Sequence, residues 1–372
     1  MIKVLFLIHD LGHGGAEKVL VNLVNNMDQS KFEISVLALF GGGVNEQFLK
    51  KDIHYRTVFK KPFPGNSHIM KIFTPELLHK WFVKDEYDIE ISYLEGPSAR
   101  IVSGCKNSKT KLVSWIHCTM KNQNDVADSF RSIGEAEKCY NAMDKMVFVS
   151  DGVREAFLSN CKYSGATEVL YNTVESEKII EMSQEDAVEI CADKIGLIAV
   201  GTLKPVKGFD RLLRVVKKLH DDGYPIHLYL LGTGPQRNEL EQFIIDNSLE
   251  NVVSLLGYKT NPYKYVSKCS LFVCSSFSEG FSTAVTEALI VGTPVCTVNV
   301  SGMKEMLGDA NEYGVITDND EESLYAGIKL LLDDDKLMSH YKKQAVVRGE
   351  IFKTEQTVRD VEVMMGELLK EE

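Results

Sequence analysis

The sequence predicts an α/β protein made of two doubly wound, Rossmann-like domains in series. Short apolar strands alternate with helical segments, the alternation stops over residues 174–194, and it then begins again. Alternating strands and helices favour parallel sheets with right-handed crossover connections. A chain of 372 residues also exceeds the size of one typical hydrophobic core. We therefore predict one domain over residues 1–173 and a second over residues 174–353.

The first half is predicted to form one parallel sheet and its covering helices. A strand at 2–8 precedes a helix at 16–27, in which apolar residues recur at helical spacing. The next strand, 32–39, ends at a run of three glycines. Further short apolar strands are predicted at 88–92, 112–116, 146–150 and 169–172.

The second half repeats this pattern after the polar segment 174–194, which we predict to link the domains. Helices are expected at 209–219, 236–247, 284–291 and 322–332. The strands between them are predicted at 195–200, 227–231, 252–256, 271–274, 294–297 and 314–316. The last segment, 354–369, is a helical pattern with no strand after it.

Composition limits the possible functions. The net charge of −11 argues against general nucleic-acid binding. The eight cysteines are scattered, with no CxxC pair or zinc-type spacing, which favours free thiols in a reducing cytoplasm. Because no apolar run approaches the length of a transmembrane helix, we expect membrane contact, if any, to be peripheral.

One basic, aromatic segment is a candidate for such contact. Residues 50–84 hold eight Lys or Arg residues against two acidic ones, together with five Phe and Trp residues. Cations mixed with aromatic side chains suit the surface of an anionic membrane. The segment is therefore predicted to contact the inner face of the cytoplasmic membrane. A helix that buries its aromatic residues and exposes its lysines would give the same pattern.

Two glutamates, Glu279 and Glu287, are the most informative polar residues. Glu279 lies in the predicted turn after strand 271–274, and Glu287 lies about two turns into the next helix. In an open parallel sheet, ligands collect at the carboxyl ends of strands. Two carboxylates beside the N–H groups of a helix N-terminus suit a ligand with both hydroxyls and phosphate.

Other strand ends carry candidate binding residues. Segment 12–17 (GHGGAE) is glycine-rich but lacks the third glycine of the dinucleotide fingerprint, so an ordinary turn is an equal interpretation. Lys207, before the helix at 209, is placed to reach a diphosphate, although most loop lysines are merely solvated. His117 follows strand 112–116, and Tyr258 follows strand 252–256, where a base could stack. A lone histidine such as His117 more often has a structural role, and for Tyr258 a structural role is as good an explanation.

Two aspartate-rich strings raise the question of a metal. Residues 318–320 (DND) and 333–335 (DDD) resemble the carboxylate pairs of metal-dependent sugar transferases. Asp320, however, precedes a predicted helix and is interpreted as its N-cap, and the second string closes the same helix. We therefore expect no metal site.

Taken together, the motifs resemble family 4 of the retaining glycosyltransferases, especially bacterial enzymes of capsule, exopolysaccharide and lipopolysaccharide synthesis. The resemblance covers nearly the whole chain. The segments that carry it are GGAE at 14–17, VGTLKPVKGFD at 200–210, GTGP at 232–235, NPY at 261–263, 279–287, and GTPV at 292–295. It implies the GT-B fold: two Rossmann-like domains facing across a cleft, with a C-terminal helix, 354–372, returning to the first domain.

The resemblance also implies site roles. The first domain would bind the acceptor, and the second would bind a nucleotide-sugar donor without an essential metal or cofactor. Glu287 would accept hydrogen bonds from the ribose, Glu279 would contact the donor sugar, and Lys207 would neutralise the leaving diphosphate. His117 and Gly15 would come from the opposite wall of the cleft. The N–H groups that would bind sugar or diphosphate oxygens belong to Gly280, Phe281, Ser282 and Thr283.

The sequence departs from the family pattern at Thr202. An arginine is usual there, whereas a threonine offers the diphosphate only a hydroxyl and an N–H group. Lys204 is a possible replacement cation.

The resemblance predicts transfer of a hexose or N-acetylhexosamine from a UDP-sugar to a glycan or lipid-linked glycan, with retention by front-face attack. Catalysis through a covalent Glu279 intermediate is the rival mechanism. A UDP-sugar 2-epimerase and a non-catalytic nucleotide-sugar-binding protein are the alternative functions.

Overall fold

The protein forms two compact units. The computed structural model describes residues 1–12, 14–63, 65, 70–185, 190–191 and 193–370. The first unit comprises Met1–Val174 and Thr354–Glu372, and the second comprises Glu175–Lys353. The chain thus passes between units one residue beyond the domain boundary that the sequence suggests.

The first unit contains a seven-stranded parallel sheet in its described part. Its strands are β1 (Ile2–Ile8), β2 (Phe32–Phe40), β3 (His54–Phe59), β4 (Ile89–Tyr93), β5 (Lys111–Ile116), β6 (Lys145–Phe148) and β7 (Ala166–Val169). Its helices are α1 (Gly15–Asn26), α2 (Pro75–Phe82), α3 (Pro97–Val102), α4 (Gln123–Ala127), α5 (Ile133–Tyr140) and α6 (Asp151–Asn160). The strand order is β3-β2-β1-β4-β5-β6-β7, so the direction of winding reverses between β1 and β4.

The second unit contains a six-stranded parallel sheet in its described part. Its strands are β8 (Ile195–Val200), β9 (Ile226–Leu231), β10 (Val253–Gly257), β11 (Leu271–Cys274), β12 (Val295–Val298) and β13 (Val315–Thr317). Its helices are α7 (Ser176–Ser183), α8 (Phe209–Asp221), α9 (Arg237–Asp246), α10 (Tyr263–Val266), α11 (Thr283–Ile290), α12 (Met303–Leu307), α13 (Glu321–Asp333) and α14 (Asp335–Gly349). The strand order is β10-β9-β8-β11-β12-β13, with the reversal between β8 and β11.

The final helix, α15 (Thr354–Leu368), belongs to the first unit although it follows the second along the chain. Its inner face buries five apolar side chains, Val358, Val361, Met364, Met365 and Leu368. The Asp28 N–H donates to Glu362 Oε1 at 2.7 Å, and Thr354 Oγ1 donates to the Val174 carbonyl at 2.7 Å. These contacts attach the helix to the turn after α1 and to the last residue of the first unit's continuous segment.

Besides helices α2–α6, α10, α12 and α14, for which no bounds were predicted, two strands and the linking segment differ from the sequence predictions. Strand β3 was missed because only two of its six residues are aliphatic or Phe, and most of the strand is half-buried or exposed at a sheet edge. The strand predicted at 169–172 instead occupies Ala166–Val169, where the polar Thr167 and Glu168 lie side by side between Ala166 and Val169 and give no apolar run. The predicted link contains a helix, Ser176–Ser183, and its residues 186–189 and 192 lie outside the described part of the chain.

No helix in the described part of the chain combines the length and hydropathy needed to cross a membrane.

Candidate active site

The candidate site lies at the carboxyl ends of β8 and β11. These strands are neighbours in the second sheet, and the strand order reverses between them. Connections leave such a switch point toward opposite faces of the sheet, which opens a crevice where ligands bind. Lys207 ends the short 3₁₀ turn Pro205–Lys207 after β8, and Glu279 lies in the turn after β11. Sheet order therefore brings together two residues that are 72 positions apart.

Lys207 and Glu279 form a close ion pair. Lys207 Nζ donates to Glu279 Oε1 at 2.6 Å, and Ser276 Oγ donates to the same oxygen at 2.5 Å. The Lys207 side chain is 28% exposed and the Glu279 side chain 10% exposed. A charge-assisted contact of this length, largely shielded from water, is stronger than an ordinary surface pair. The arrangement fixes one cation and one carboxylate side by side at the crevice.

Two glycines allow the loops around this pair to approach closely. Gly208 has φ +62°, and a Cβ on it would lie 2.2 Å from the Ser275 carbonyl oxygen. Gly232 has φ +142°, and a Cβ on it would lie 1.8 Å from the Gly201 carbonyl oxygen. Any side chain at either position would force the backbones apart. Gly208 and Gly232 are thus required by packing, whatever ligand the crevice takes.

Glu287 lies on α11 and faces a different partner. Tyr263, on α10, donates its hydroxyl to Glu287 Oε1 at 3.1 Å. Helix α11 begins at Thr283, after Glu279, and its N-cap Ser282 accepts a hydrogen bond from the Val285 N–H. Glu287 therefore lies one helical turn beyond the cap, with its carboxylate oriented by a tyrosine.

Gly280, Phe281 and Thr283, which are also predicted to bind the donor, lie at this helix start. Phe281 is buried, and its ring packs against Phe352 at 5.8 Å between centroids. Gly280 and Thr283 are half-buried. Tyr258 directly follows β10 and is 71% exposed, so its ring face is available for stacking.

Thr202 and Lys204 are both exposed on the loop after β8. The Lys204 N–H donates to the Thr202 carbonyl at 2.7 Å, which closes a tight turn. The replacement of the arginine usual at position 202 by Lys204 stays a prediction.

Gly15 and His117 belong to the first unit, at the carboxyl ends of β1 and β5. Gly15 is the exposed first residue of α1. His117 is 8% exposed, and burial lowers its pKa to about 3, so the ring is neutral at pH 7. Within the described residues, its buried Nε2 has no hydrogen-bond partner. The His117 ring packs on Tyr93 and Trp115, and the backbone N–H of His117 donates to Glu95 Oε2 at 3.0 Å.

The structure also identifies residues that the sequence analysis missed. Ser276 contacts Glu279, and Tyr263 contacts Glu287, although position 263 was noted only as part of a motif. Arg211 lies buried behind the Glu279 turn. The available signal was its place in α8, four residues before the buried Val215, since i and i+4 share a helix face.

The aspartate strings have structural roles, as predicted. Asp320 Oδ1 accepts from the Ser323 N–H at 2.8 Å, which confirms the N-cap at the start of α13. Asp333 ends α13, and Asp334 caps α14 instead.

In the described part of the chain, one group of three side chains has metal-ligating chemistry. It lies in the first unit, where ligand atoms of His79, Glu90 and Cys105 are within 4.8 Å of one another. His79 Nε2 and Glu90 Oε2 are 2.8 Å apart, which is the geometry of an ion pair. The expectation of no metal site stays a prediction.

The four Phe residues of segment 50–84 are half-buried, whereas its tryptophan is exposed. Phe59 contacts the rings of Phe40, Phe63 and Phe82. Trp81, by contrast, is 41% exposed and Ile72 is 70% exposed. Residues 64 and 66–69 lie outside the described part of the chain. Contact of this segment with a membrane stays a prediction.

Comparison with known proteins identifies the class. Residues 13–178 match the family model described as Glycosyltransferase Family 4, and residues 183–348 match that described as Glycosyl transferases group 1. Over 97% of its length, the chain is 31% identical to an enzyme of Campylobacter jejuni subsp. jejuni serotype O:2, of which 98% is covered. That enzyme is named N-acetylgalactosamine-N,N'-diacetylbacillosaminyl-diphospho-undecaprenol 4-alpha-N-acetylgalactosaminyltransferase. The chain therefore belongs to the family 4 glycosyltransferases and is a glycosyltransferase.

Further relatives agree with this assignment. The lipopolysaccharide core biosynthesis glycosyltransferase LpsD of Rhizobium meliloti is 22% identical, over 89% of this chain and 88% of that protein. HepE from Anabaena, solved in complex with UDP, has a TM-score of 0.77 at 18% identity, with 98% of this chain and 100% of that one covered. Sucrose-phosphate synthase from Thermosynechococcus elongatus has a TM-score of 0.80 at 15% identity, with full coverage of both chains. The predicted GT-B fold is confirmed.

Proposed function

We propose that this glycosyltransferase moves a hexose or N-acetylhexosamine from a UDP-sugar to a lipid-linked glycan, with retention of anomeric configuration. The Lys207–Glu279 pair at the switch point carries the proposal, because it sets a cation for a diphosphate beside a carboxylate for sugar hydroxyls. The Campylobacter relative, whose name specifies a diphospho-undecaprenol acceptor, supports the acceptor class. The UDP complex of HepE supports the donor base.

In this proposal, Lys207 acts on the leaving group. Negative charge develops on the diphosphate as the bond to the sugar breaks, and a fixed cation stabilises that charge more than it stabilises the intact donor. The segment from Gly280 to Thr283, which leads into α11, adds backbone donors, and the start of α11 adds the positive end of a helix dipole. Thr202 contributes a hydroxyl where the family usually has an arginine.

The nucleoside is assigned to Glu287 and Tyr258. Glu287 accepts hydrogen bonds from the ribose hydroxyls, and Tyr263 holds its carboxylate in place through the 3.1 Å contact. The exposed ring of Tyr258 stacks on the base. In the first unit, the neutral His117 offers a sugar hydroxyl its Nε2, which has no hydrogen-bond partner among the described residues. Gly15 lies at the start of α1 in the same unit.

Front-face attack is preferred over a covalent intermediate. One oxygen of Glu279 already accepts hydrogen bonds from Lys207 and Ser276, which stabilises the carboxylate and reduces its nucleophilicity. A donor phosphate oxygen then takes the proton of the acceptor hydroxyl. Trapping of a glycosyl group on Glu279 would contradict this mechanism. Since Lys207 and backbone N–H groups balance the diphosphate charge, we propose that neither a metal nor a cofactor is needed, so activity should survive EDTA.

A panel of donors and acceptors tests the function. The protein is incubated with UDP- and GDP-sugars, with and without polyprenyl-diphosphate-linked glycans, and products are followed by mass spectrometry and NMR. We expect an α-linked product and UDP release that depend on the acceptor. Conversion of the donor to an epimer without acceptor, or binding without turnover across the whole panel, would contradict the proposal.

A lipid-linked acceptor requires access to a membrane, and we propose that 50–84 provides it at the cytoplasmic face. Among the described residues of this segment, Trp81 and Ile72 are the large apolar side chains that are exposed, and Lys80 and Lys84 are exposed cations close to Trp81 in sequence. Sedimentation with phosphatidylglycerol vesicles should be salt-sensitive and should fall in Trp81→Ser, whereas Leu158→Ser, an exposed apolar control outside the segment, should bind as before. Equal sedimentation of Trp81→Ser and the unmodified protein would count against it.

A further inference from the structure

Arg211 is a buried cation directly behind the candidate site. It is 2% exposed, and its guanidinium donates three hydrogen bonds. Nε donates to the Ser275 carbonyl at 2.7 Å, Nη2 to the Ser276 carbonyl at 2.9 Å, and Nη1 to Asn319 Oδ1 at 2.8 Å. Its Cζ also lies 4.1 Å from the centroid of the Phe277 ring.

The partners of Arg211 are unusual for an arginine in a core. All three hydrogen-bond acceptors are neutral oxygens, so a full positive charge is removed from water without a carboxylate accepting from it directly. An apolar side chain of similar volume fills such a position at lower cost. Core packing therefore does not explain an arginine here. The arginine is explained by its acceptors, which are the Ser275 and Ser276 carbonyls and the Asn319 side chain.

Arg211 is connected to Glu279 through a single residue. Ser276 accepts from Arg211 through its carbonyl and donates through its hydroxyl to Glu279 Oε1 at 2.5 Å. Movement of the Ser276 backbone therefore moves the hydroxyl that orients the carboxylate. Because Ser275 and Ser276 follow β11 directly, the arginine holds the first two residues of the turn that carries Glu279.

The loop that carries Lys207 is joined to the same turn. Ser275 Oγ donates to the Lys207 carbonyl at 3.0 Å, and the Phe277 N–H donates to the Val206 carbonyl at 2.8 Å. Gly208, three residues before Arg211, packs its Cα against the Ser275 carbonyl. The two loops therefore keep one relative position, and Arg211 holds that position from the buried side.

We propose that Arg211 is a positioning residue of the donor site, which sets the separation of Lys207 and Glu279 by fixing the 275–279 turn against the 204–208 loop. The expected effect on donor kinetics rests on the proposed function, whereas the expected effect on the position of the 275–279 turn does not. A planar guanidinium reaches three acceptors in three directions at once, which a lysine ammonium on a flexible stem does not reproduce. Geometry, rather than charge alone, is therefore the property required at position 211.

Hydrogen exchange of the full-length protein without ligand tests the structural part. In Arg211→Met and Arg211→Lys, the Phe277 N–H should exchange about tenfold faster or more, while the amides within β11 keep their protection. Arg214→Met is the matched control, because Arg214 lies on the same helix but is 42% exposed and pairs with Asp210 and Glu321 at the surface. Unchanged exchange at 275–279 in a folded Arg211→Met protein would overturn the proposal.

Kinetics tests the functional part. Both Arg211 variants should lose about 10- to 100-fold in kcat/KM for the donor, with the KM for the acceptor unchanged. Full activity in Arg211→Lys would overturn the proposal, since charge alone would then suffice. If Arg211→Met does not fold, Asn319→Ala removes one hydrogen-bond acceptor of Arg211 and should give a smaller increase in exchange at the same turn. No increase in exchange would overturn the proposal. Absence of transfer by the unmodified protein would refute the proposed function and leave the exchange result standing.

Discussion

At the scale of single residues, Lys207 makes the sharpest prediction. Lys207→Met removes the cation that faces the leaving diphosphate and leaves Glu279 without its ion-pair partner. We expect kcat to fall about 10²- to 10³-fold, the range seen when one preorganised electrostatic donor is removed, with a smaller change in the KM for the donor. Steady-state kinetics with the identified donor measures both.

Lys204→Met is the matched control for this prediction. Lys204 is a lysine of the same loop, three residues away and exposed. If the two substitutions reduce kcat equally, Lys204 also binds the diphosphate and replaces the arginine that is usual at position 202. An unchanged kcat in Lys207→Met would contradict the role given to Lys207.

Glu287 is expected to control nucleotide affinity rather than turnover. Loss of hydrogen bonds to a charged group costs about 1.5–3 kcal/mol, so Glu287→Ala should weaken UDP binding about 10- to 150-fold in calorimetry. Tyr263→Phe keeps the ring but removes the hydroxyl that orients Glu287, and its effect should be smaller. Glu322→Ala, an exposed glutamate paired with Lys218, should bind UDP normally. Equal UDP affinity in Glu287→Ala and the unmodified chain would refute the ribose role.

At the scale of elements, helix α2 is attached to strand β4 by the His79–Glu90 pair. The two side chains are 15% and 2% exposed. Burial lowers the pKa of His79, but hydrogen bonding and charge interaction with Cys105 and Glu90 outweigh it and raise the pKa to about 9. A raised histidine pKa contributes stability that is fully present below about pH 6.5 and is lost as pH rises through 9. The contribution is at most about 3 kcal/mol.

Urea unfolding at pH 6 and at pH 9.5 tests this pair. The free energy of unfolding lost in His79→Gln should be larger at pH 6 than at pH 9.5, because the unmodified protein itself loses the charged imidazole at the higher pH. His54→Gln, at an exposed histidine of strand β3, should give the same small loss at both pH values. A pH-independent loss in His79→Gln would show that the pair is not charged in the folded state.

Element by element, sequence patterns predicted the buried strands best. Strand 271–274 is correct at both ends because it is a continuous apolar run, and the edge strand β3 was missed because its residues are polar and half-exposed. The pattern of apolar and polar residues in a strand does not reveal which strands are its neighbours in the sheet. That β8 adjoins β11, and so brings Lys207 to Glu279, follows from sheet order, and the sequence supplied this pairing only through family resemblance.

Arg211 illustrates the limit at the site itself. On the sequence, it is one of several cations in an amphipathic helix, and such residues are usually solvated. Its carbonyl partners lie 64 and 65 positions later and have no side-chain signature. Backbone acceptors leave no trace in residue identity, so contacts of this kind are visible only in the fold.

At the scale of the whole molecule, the chain crosses between its units twice, and α15 completes the first unit. Val361, on the inner face of α15, is fully buried, whereas Val363 on the same helix is 50% exposed. Val361→Asn should destabilise the first unit by about 2–4 kcal/mol, because it removes apolar packing and buries an amide. Val363→Asn places the same side chain in water and should cost less than about 0.5 kcal/mol.

Scanning calorimetry with and without UDP separates the two units. Val361→Asn should lower one unfolding transition by several degrees, about 2–4 °C per kcal/mol for a unit of this size. UDP at 100 times its Kd should stabilise the other transition by about 2.7 kcal/mol, because the nucleotide is assigned to residues of the second unit alone. A UDP-induced rise in the same transition that Val361→Asn lowers, with no second transition, would mean either that the units unfold as one or that the nucleotide binds the first unit. Repeating the titration with Glu287→Ala distinguishes these outcomes, since loss of the UDP shift in that variant keeps the nucleotide on the second unit.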